Sequence, residues 1–226
     1  MLCGCMKKKK RTGNRERIIE TAIELMNAQG GGVGTSQIAD HLGISPGNLY
    51  YHFRNFSEIV REILARLRSE LADSLSMPEN GPVDAQRLVD YYSNGAMVLW
   101  RYRFMVSSAR ELTSRDPELD LSYRAFSAEG MEAVRRIIAD LVKHQPGPVK
   151  ASARDCENLA ENMWVLWNAW PRHAEYYRID GHVSQAAIAH GLEQIAMTLA
   201  PYLDPAFHKQ VKRGLHRFVE SLEARL

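Results

Sequence analysis

The strongest constraint on the fold lies between Gln37 and Phe53, where three small or apolar residues stand at fixed intervals. Ala39 is small at a point where two helices can cross closely. Gly43, four residues on, supplies the left-handed backbone that a tight turn between helices needs. Leu49, six residues beyond that glycine, is apolar where a second helix must face inward, and Phe53 repeats the face one turn later. Ser45 is a good N-cap and Pro46 suits the first helical position, because it has no N–H to leave unpaired. A helix of about two turns ending near Phe53 cannot stand alone, so it must dock on its neighbours. These are the steric demands of a helix-turn-helix.

The rest of the chain also reads as helices. Ile18, Ile19, Ala22, Ile23, Leu25 and Met26 place an amphipathic first helix over Arg15–Gln29, stopped by Gly30-Gly31-Gly32. A second is expected over Ser36–Leu42, and a fourth opens at Ser57-Glu58 with Ile59, Ile63, Leu64, Leu67 and Leu71. The prolines and glycine of Ser76–Val83 mark a linker. Longer helices follow over Asp84–Leu112, from Asp116-Pro117 to Lys143, and over Ser152–Arg178, Ser184–Leu199 and Pro205–Arg225. No strand alternation and no internal repeat is visible. The expected fold is all-α: a three-helix helix-turn-helix domain (14–58) after a disordered basic tail (1–13), a connecting helix and linker (59–83), and a larger helical domain (84–226).

Charge and surface chemistry point to nucleic acid. Residues 1–57 hold 8 Lys/Arg against 4 Asp/Glu, whereas the remainder holds 21 against 23. With Leu49 and Phe53 turned inward, Asn48, Tyr51 and His52 share the outer face of the third helix. Gly47 lets the helix N-terminus approach a phosphate closely, and Asn48 can bond adenine in two places. Asn48 and Tyr51 suit bases or nearby backbone, and Tyr50 and His52 suit backbone. Thr35, Ser36, Ser45, Pro46 and Arg54 complete the expected DNA-contacting set.

The string Ile44-Ser-Pro-Gly-Asn-Leu-Tyr-Tyr-His-Phe53 resembles the recognition-helix signature of the TetR family of bacterial transcriptional regulators. The similarity spans Arg15–Leu71 and extends more loosely over Trp100-Arg-Tyr-Arg-Phe104 and Asp116-Pro-Glu-Leu. It implies a homodimer on a palindromic double-stranded DNA operator, with repression relieved by a small molecule bound in the C-terminal domain. Two departures stand out. Phe56 occupies the place where members commonly carry a phosphate-gripping lysine, which shifts that load to Arg54 or the tail. The triple glycine after the first helix predicts a looser hinge between the first two helices.

The C-terminal half offers material for an aromatic-walled pocket. Met163, Trp164, Trp167, Trp170 and His173 recur at helical spacing, and Met97, Trp100, Phe104, Tyr123 and Phe126 supply similar side chains earlier. Pro171 would kink that helix. Asn168, His173, Arg101 and Arg103 are the candidate polar groups, and a ligand reaching either arginine would be an anion. For pairing of subunits, Ile188, Leu192, Ile195, Leu199, Val211, Leu215, Phe218 and Leu222 carry apolar surface that a four-helix bundle across a two-fold axis would bury.

Other features have plainer readings. Lys7–Arg11 is either a DNA-contacting arm or a solubilising tail. Cys3 and Cys5 make at most half a zinc site, and Cys156 reads as a buried apolar residue. No metal site, cofactor or membrane span is expected. Three cysteines without an export signal suit the cytoplasm. Enzyme signatures are missing: no phosphate-binding glycine loop, Gly-x-Ser-x-Gly, His-Glu-x-x-His or Cys-x-x-Cys occurs. The competing readings are a small-molecule carrier with a vestigial helix-turn-helix and a redox- or metal-responsive regulator. Groove reading alone does not separate activation from repression.

Overall fold

The computed structural model describes residues 13–177 and 184–224, and all its regular elements there are helical. Helices α1 (Asn14–Gln29), α2 (Thr35–Leu42) and α3 (Pro46–His52) form the N-terminal unit. Its core is made by Ile18, Ile19, Met26, Ile38, Ala39, Leu49 and Phe53, each no more than 1% exposed. Gly30 and Gly43 adopt positive φ (81° and 64°) at the ends of α1 and α2, which only glycine does without strain. At the start of α3, the Ser45 hydroxyl accepts from the Asn48 N–H at 3.2 Å, so the expected cap is in place.

Helix α4 (Phe56–Ser74) begins one residue earlier than expected. Asn55 is its cap, the side-chain oxygen accepting from the Glu58 N–H at 2.9 Å. Then follow α5 (Ala85–Arg101), α6 (Arg103–Ser107), α7 (Ala109–Thr113), α8 (Pro117–His144), α9 (Ala153–Tyr177), α10 (Gln185–Leu199) and α11 (Pro205–Glu223).

The single helix expected over Asp84–Leu112 is therefore wrong: it is broken at Tyr102 and again at Ser108. The first break is held from outside. Asn27 of α1 donates to the Arg101 carbonyl at 2.7 Å and accepts from the Phe104 N–H at 3.2 Å, taking up one backbone group on each side of it. Tyr102 is fully buried there, and its hydroxyl donates to Glu70 of α4 at 2.6 Å.

Two cores result. One joins α1–α4 to Val98, Tyr102, Phe104, Met105, Leu119 and Phe126, so apolar packing runs continuously from the N-terminal unit into the body. Arg61 of α4 adds a two-pronged ion pair (2.8 and 2.9 Å) to Asp116, the buried cap of α8. The guanidinium holds that carboxyl below the usual carboxylate range.

The second core joins α5 and α8–α11. Three tryptophans of α9 seat on glycines of three different helices: Trp164 on Gly130 of α8, Trp167 on Gly95 of α5, and Trp170 on Gly191 of α10. A Cβ at Gly130 or Gly191 would overlap the indole ring. The absence of a side chain is what lets these helices approach.

The expected subunit interface is corrected by this core. Leu192, Ile195, Leu199, Val211, Leu215 and Leu222 are at most 5% exposed, buried against α5 and one another. Phe218 packs half-buried against the same cluster. These seven apolar side chains of the last two helices are spent inside one chain. The side chain of Ile188 lies outside the described residues, as do residues 1–12 with the basic tail, Cys3 and Cys5.

Candidate nucleic-acid interface and internal cavity

The outer face of α3 is built by its inner one. Leu49 and Phe53 are buried, which turns Asn48 and Tyr51 to solvent, Tyr51 being 85% exposed. His52 stands edge-on to the Tyr51 ring, with ring centres 5.1 Å apart. Asn48 meets α1 through its side-chain oxygen, which accepts from the Asn14 side-chain N–H at 3.3 Å. Tyr50 is half exposed, and its hydroxyl shares a 3.2 Å hydrogen bond with Thr35 of α2. A side chain at Gly47 would meet only the Ser45 hydroxyl, at 4.0 Å, so the glycine leaves the helix start open outward. Ser36, Ser45, Pro46 and Arg54 are exposed, the middle two at the start of α3 and Arg54 just past its far end.

Arg15 was not among the sequence candidates, yet it locks this face. Its guanidinium lies 4.2 Å from the centre of the Phe53 ring, donates to the His52 carbonyl at 2.8 Å and pairs with Glu62 of α4. The last carbonyl of α3 is thereby satisfied and the helix is fixed to α1 and α4 at once. Phe56, in place of the lysine, packs half-buried against the N-terminal core.

The triple glycine is not simply loose. A Cβ at Gly31 would come within 2.7 Å of a Glu111 carboxylate oxygen and 3.2 Å of Ser108 Cβ. The α1–α2 turn thus rests on α7, which corrects the expectation of a slack hinge.

Deeper in the body lies a narrow cavity of about 60 Å³. Leu67 and Leu71 of α4, with Leu75 just past its end, form one wall, Phe126 of α8 with Trp164 and Trp167 of α9 another, and Asn168 supplies its amide. Tyr91, Gly95, Val98, Leu99 and Tyr102 close it from α5 and the break after it. No residue of the lining carries a formal charge. Of the ten expected pocket residues, the cavity gathers Phe126, Trp164 and Trp167. Phe104 and Met163 are spent in the cores, and Met97, Trp100 and Tyr123 are partly buried beside them. The Trp170 indole N–H donates to the Ala187 carbonyl at 2.9 Å, and His173 borders an adjoining surface groove. Neither expected arginine reaches the cavity: Arg101 pairs with Glu20 at 2.7 Å, and Arg103 stacks 4.1 Å from the Trp100 ring centre.

Comparison with known proteins decides the family. Residues 18–63 match the family described as bacterial regulatory proteins, tetR family, and residues 66–211 match one described as bacterial transcriptional repressor, of the same lineage. The chain belongs to the TetR family. A TetR-family transcriptional regulator from Marinobacter aquaeolei is 28% identical, with a TM-score of 0.81 over 92% of this chain and 99% of that one. Two further solved structures share the fold. PfmR of Thermus thermophilus has 23% identity and a TM-score of 0.62, covering 81% of this chain and 97% of that one. The ketosteroid regulator KstR2 of Mycobacterium tuberculosis has 16% and 0.57, covering 86% and 97%. No curated protein matches the sequence.

As a member of the TetR family, the chain is a DNA-binding transcriptional regulator and not an enzyme. Among the described residues, no helix is long and apolar enough to cross a membrane and no group of side chains is placed to hold a metal. Cys156 is half-buried, and burial pushes its thiol up, away from the reactive thiolate form.

Proposed function

We propose that this TetR-family regulator is a cytoplasmic repressor, bound as a homodimer to a palindromic operator and released by a small, largely apolar ligand. The observation that carries the release is the cavity wall. Leu67 and Leu71 belong to α4 and Leu75 caps its end, and α4 is the helix that follows the recognition unit directly and is pinned to it by Arg15–Glu62. At about 60 Å³ the cavity is too tight for a molecule of several carbons unless its walls part. Parting them displaces α4, and with it α3. Two recognition helices must meet major grooves about 34 Å apart, so a few ångströms of movement break the match. The ligand must bind the non-DNA-competent state more tightly to achieve this.

Anisotropy of the full chain on labelled DNA from upstream of its own gene, with random duplex as competitor at two salt concentrations, tests the regulator. Operator binding that survives competitor is expected. Failure there, followed by failure to select any duplex from a random pool, would sink the reading.

Pairing needs a surface the subunit does not itself consume. The outward stripe of α9 (Asn158, Asn162, Val165 and Ala169) and the outward side of α10 (His190, Gln194 and Met197) offer one. Val165 is 57% and Met197 63% exposed, large apolar side chains that a partner would cover. The double variant Val165→Glu with Met197→Glu is expected to sediment as a folded monomer and to lose operator binding. A dimer of unchanged mass would place the interface elsewhere.

A further inference from the structure

We infer that the effector is an amphiphilic anion, its hydrocarbon body in the apolar cavity and its acid group at Arg110 and Arg172. This rests on the effector role proposed for that cavity. Val106 and Asn168 line both the cavity and a surface groove of about 780 Å³, so the two spaces meet across one residue of α6 and one of α9. The chemistry changes abruptly at that boundary. Inside stand Phe126, Trp164, Trp167 and leucines, with no charged group. Outside stand Arg110 of α7 and Arg172 of α9, with His173 beside them.

Both arginines are exposed, and neither has a carboxylate partner among the described residues. This sets them apart from Arg61, Arg66, Arg68 and Arg101, each of which is paired with an acidic side chain. Arg172 donates to the Ser107 carbonyl at 3.0 Å, which ties its guanidinium to the end of α6, next to Val106. Two cations at the mouth of an apolar slot suit a molecule with one charged end. The head gains charge-assisted hydrogen bonds and the tail leaves water. A carboxylate and a phosphate monoester share this chemistry. A neutral hydrocarbon would leave both arginines unused, and a cation would be repelled.

Quenching of tryptophan fluorescence reads the site directly, because Trp164 and Trp167 form its wall. The full chain is titrated with decanoate, decyl phosphate, 1-decanol and decyltrimethylammonium, all below micelle formation. The anions are expected to bind about tenfold more tightly than decanol, as one charge-assisted bond would give, with the cation weakest. The preference between decanoate and decyl phosphate identifies the head group. In the double variant Arg110→Gln with Arg172→Gln, anion affinity is expected to fall to that of decanol while decanol affinity stays unchanged. Equal binding of decanol and the anions, full anion affinity in the double variant, or no binding of any probe overturns the proposal. Adding operator DNA separates the two readings. Release by decanol without anion preference overturns only the amphiphile, whereas arginine-dependent anion binding that leaves operator bound overturns only the release.

Discussion

Replacing Asn48 with alanine is expected to remove operator preference while leaving the fold intact. The side chain is exposed, and its hydrogen bond within the chain is a 3.3 Å contact from Asn14, so thermal stability is expected to move by no more than about 2 °C. Its loss is felt at DNA. One good base contact is worth about 1–3 kcal/mol of discrimination, and a homodimer loses it in both half-sites. The expected penalty is therefore about 2–6 kcal/mol, or roughly 30-fold to 25,000-fold in operator affinity. Affinity for random duplex, and its salt dependence, should be little changed, because phosphate contacts set those. Competition anisotropy separates the two quantities. Operator affinity within twofold of the parent chain would show that Asn48 does not face a base.

That prediction was largely available from sequence. The inward pair Leu49 and Phe53 determines which side of a two-turn helix is left outside, and Ser45-Pro46 fixes where the helix starts. Local chemistry decides both, so both were legible. The apolar face of α10 and α11 was legible too, but its destination was not. A stripe such as Leu192, Ile195 and Leu199 says that something must cover it, not whether the cover is a partner or α5 of the same chain.

The tryptophans of α9 posed the same problem. Their recurrence gave a helix face, while their roles depend on glycines in three other helices. Gly95, Gly130 and Gly191, each inside a helical pattern where glycine is unfavourable, were the signal that could have paired them. Cavity walls from α4 and α5 were missed for a related reason. Leu67, Leu71, Val98 and Leu99 look like ordinary core until the helices are placed.

The least legible feature is the break at Tyr102, and it carries the second large effect. Arg101-Tyr102-Arg103 contains neither glycine nor proline, and helical periodicity runs through it. The break exists because Asn27, 77 residues away from Phe104 along the chain, offers a partner for a backbone group on either side of it. Asn27→Ala would leave the exposed Arg101 carbonyl and the partly buried Phe104 N–H without those partners. The partly buried N–H costs about 1–3 kcal/mol when unsatisfied, while water replaces the partner of the exposed carbonyl, so a loss of about 1–3 kcal/mol is expected.

In a chain of this length, that loss lowers the melting temperature by roughly 3–10 °C. Amide exchange should localise the damage, with Phe104 N–H losing protection ahead of the α3 amides. The same clamp joins α1 to the segment that carries Tyr102, whose ring lines the cavity and whose hydroxyl holds Glu70 of α4. Cutting it should therefore loosen one of the joins between the DNA-binding unit and the body without touching the recognition face. Operator affinity would fall by less than in Asn48→Ala, and cavity binding would weaken its grip on DNA. A melting temperature within 2 °C of the parent, with unchanged exchange at Phe104, would mean that the break is set by Tyr102 packing and that Asn27 only follows it.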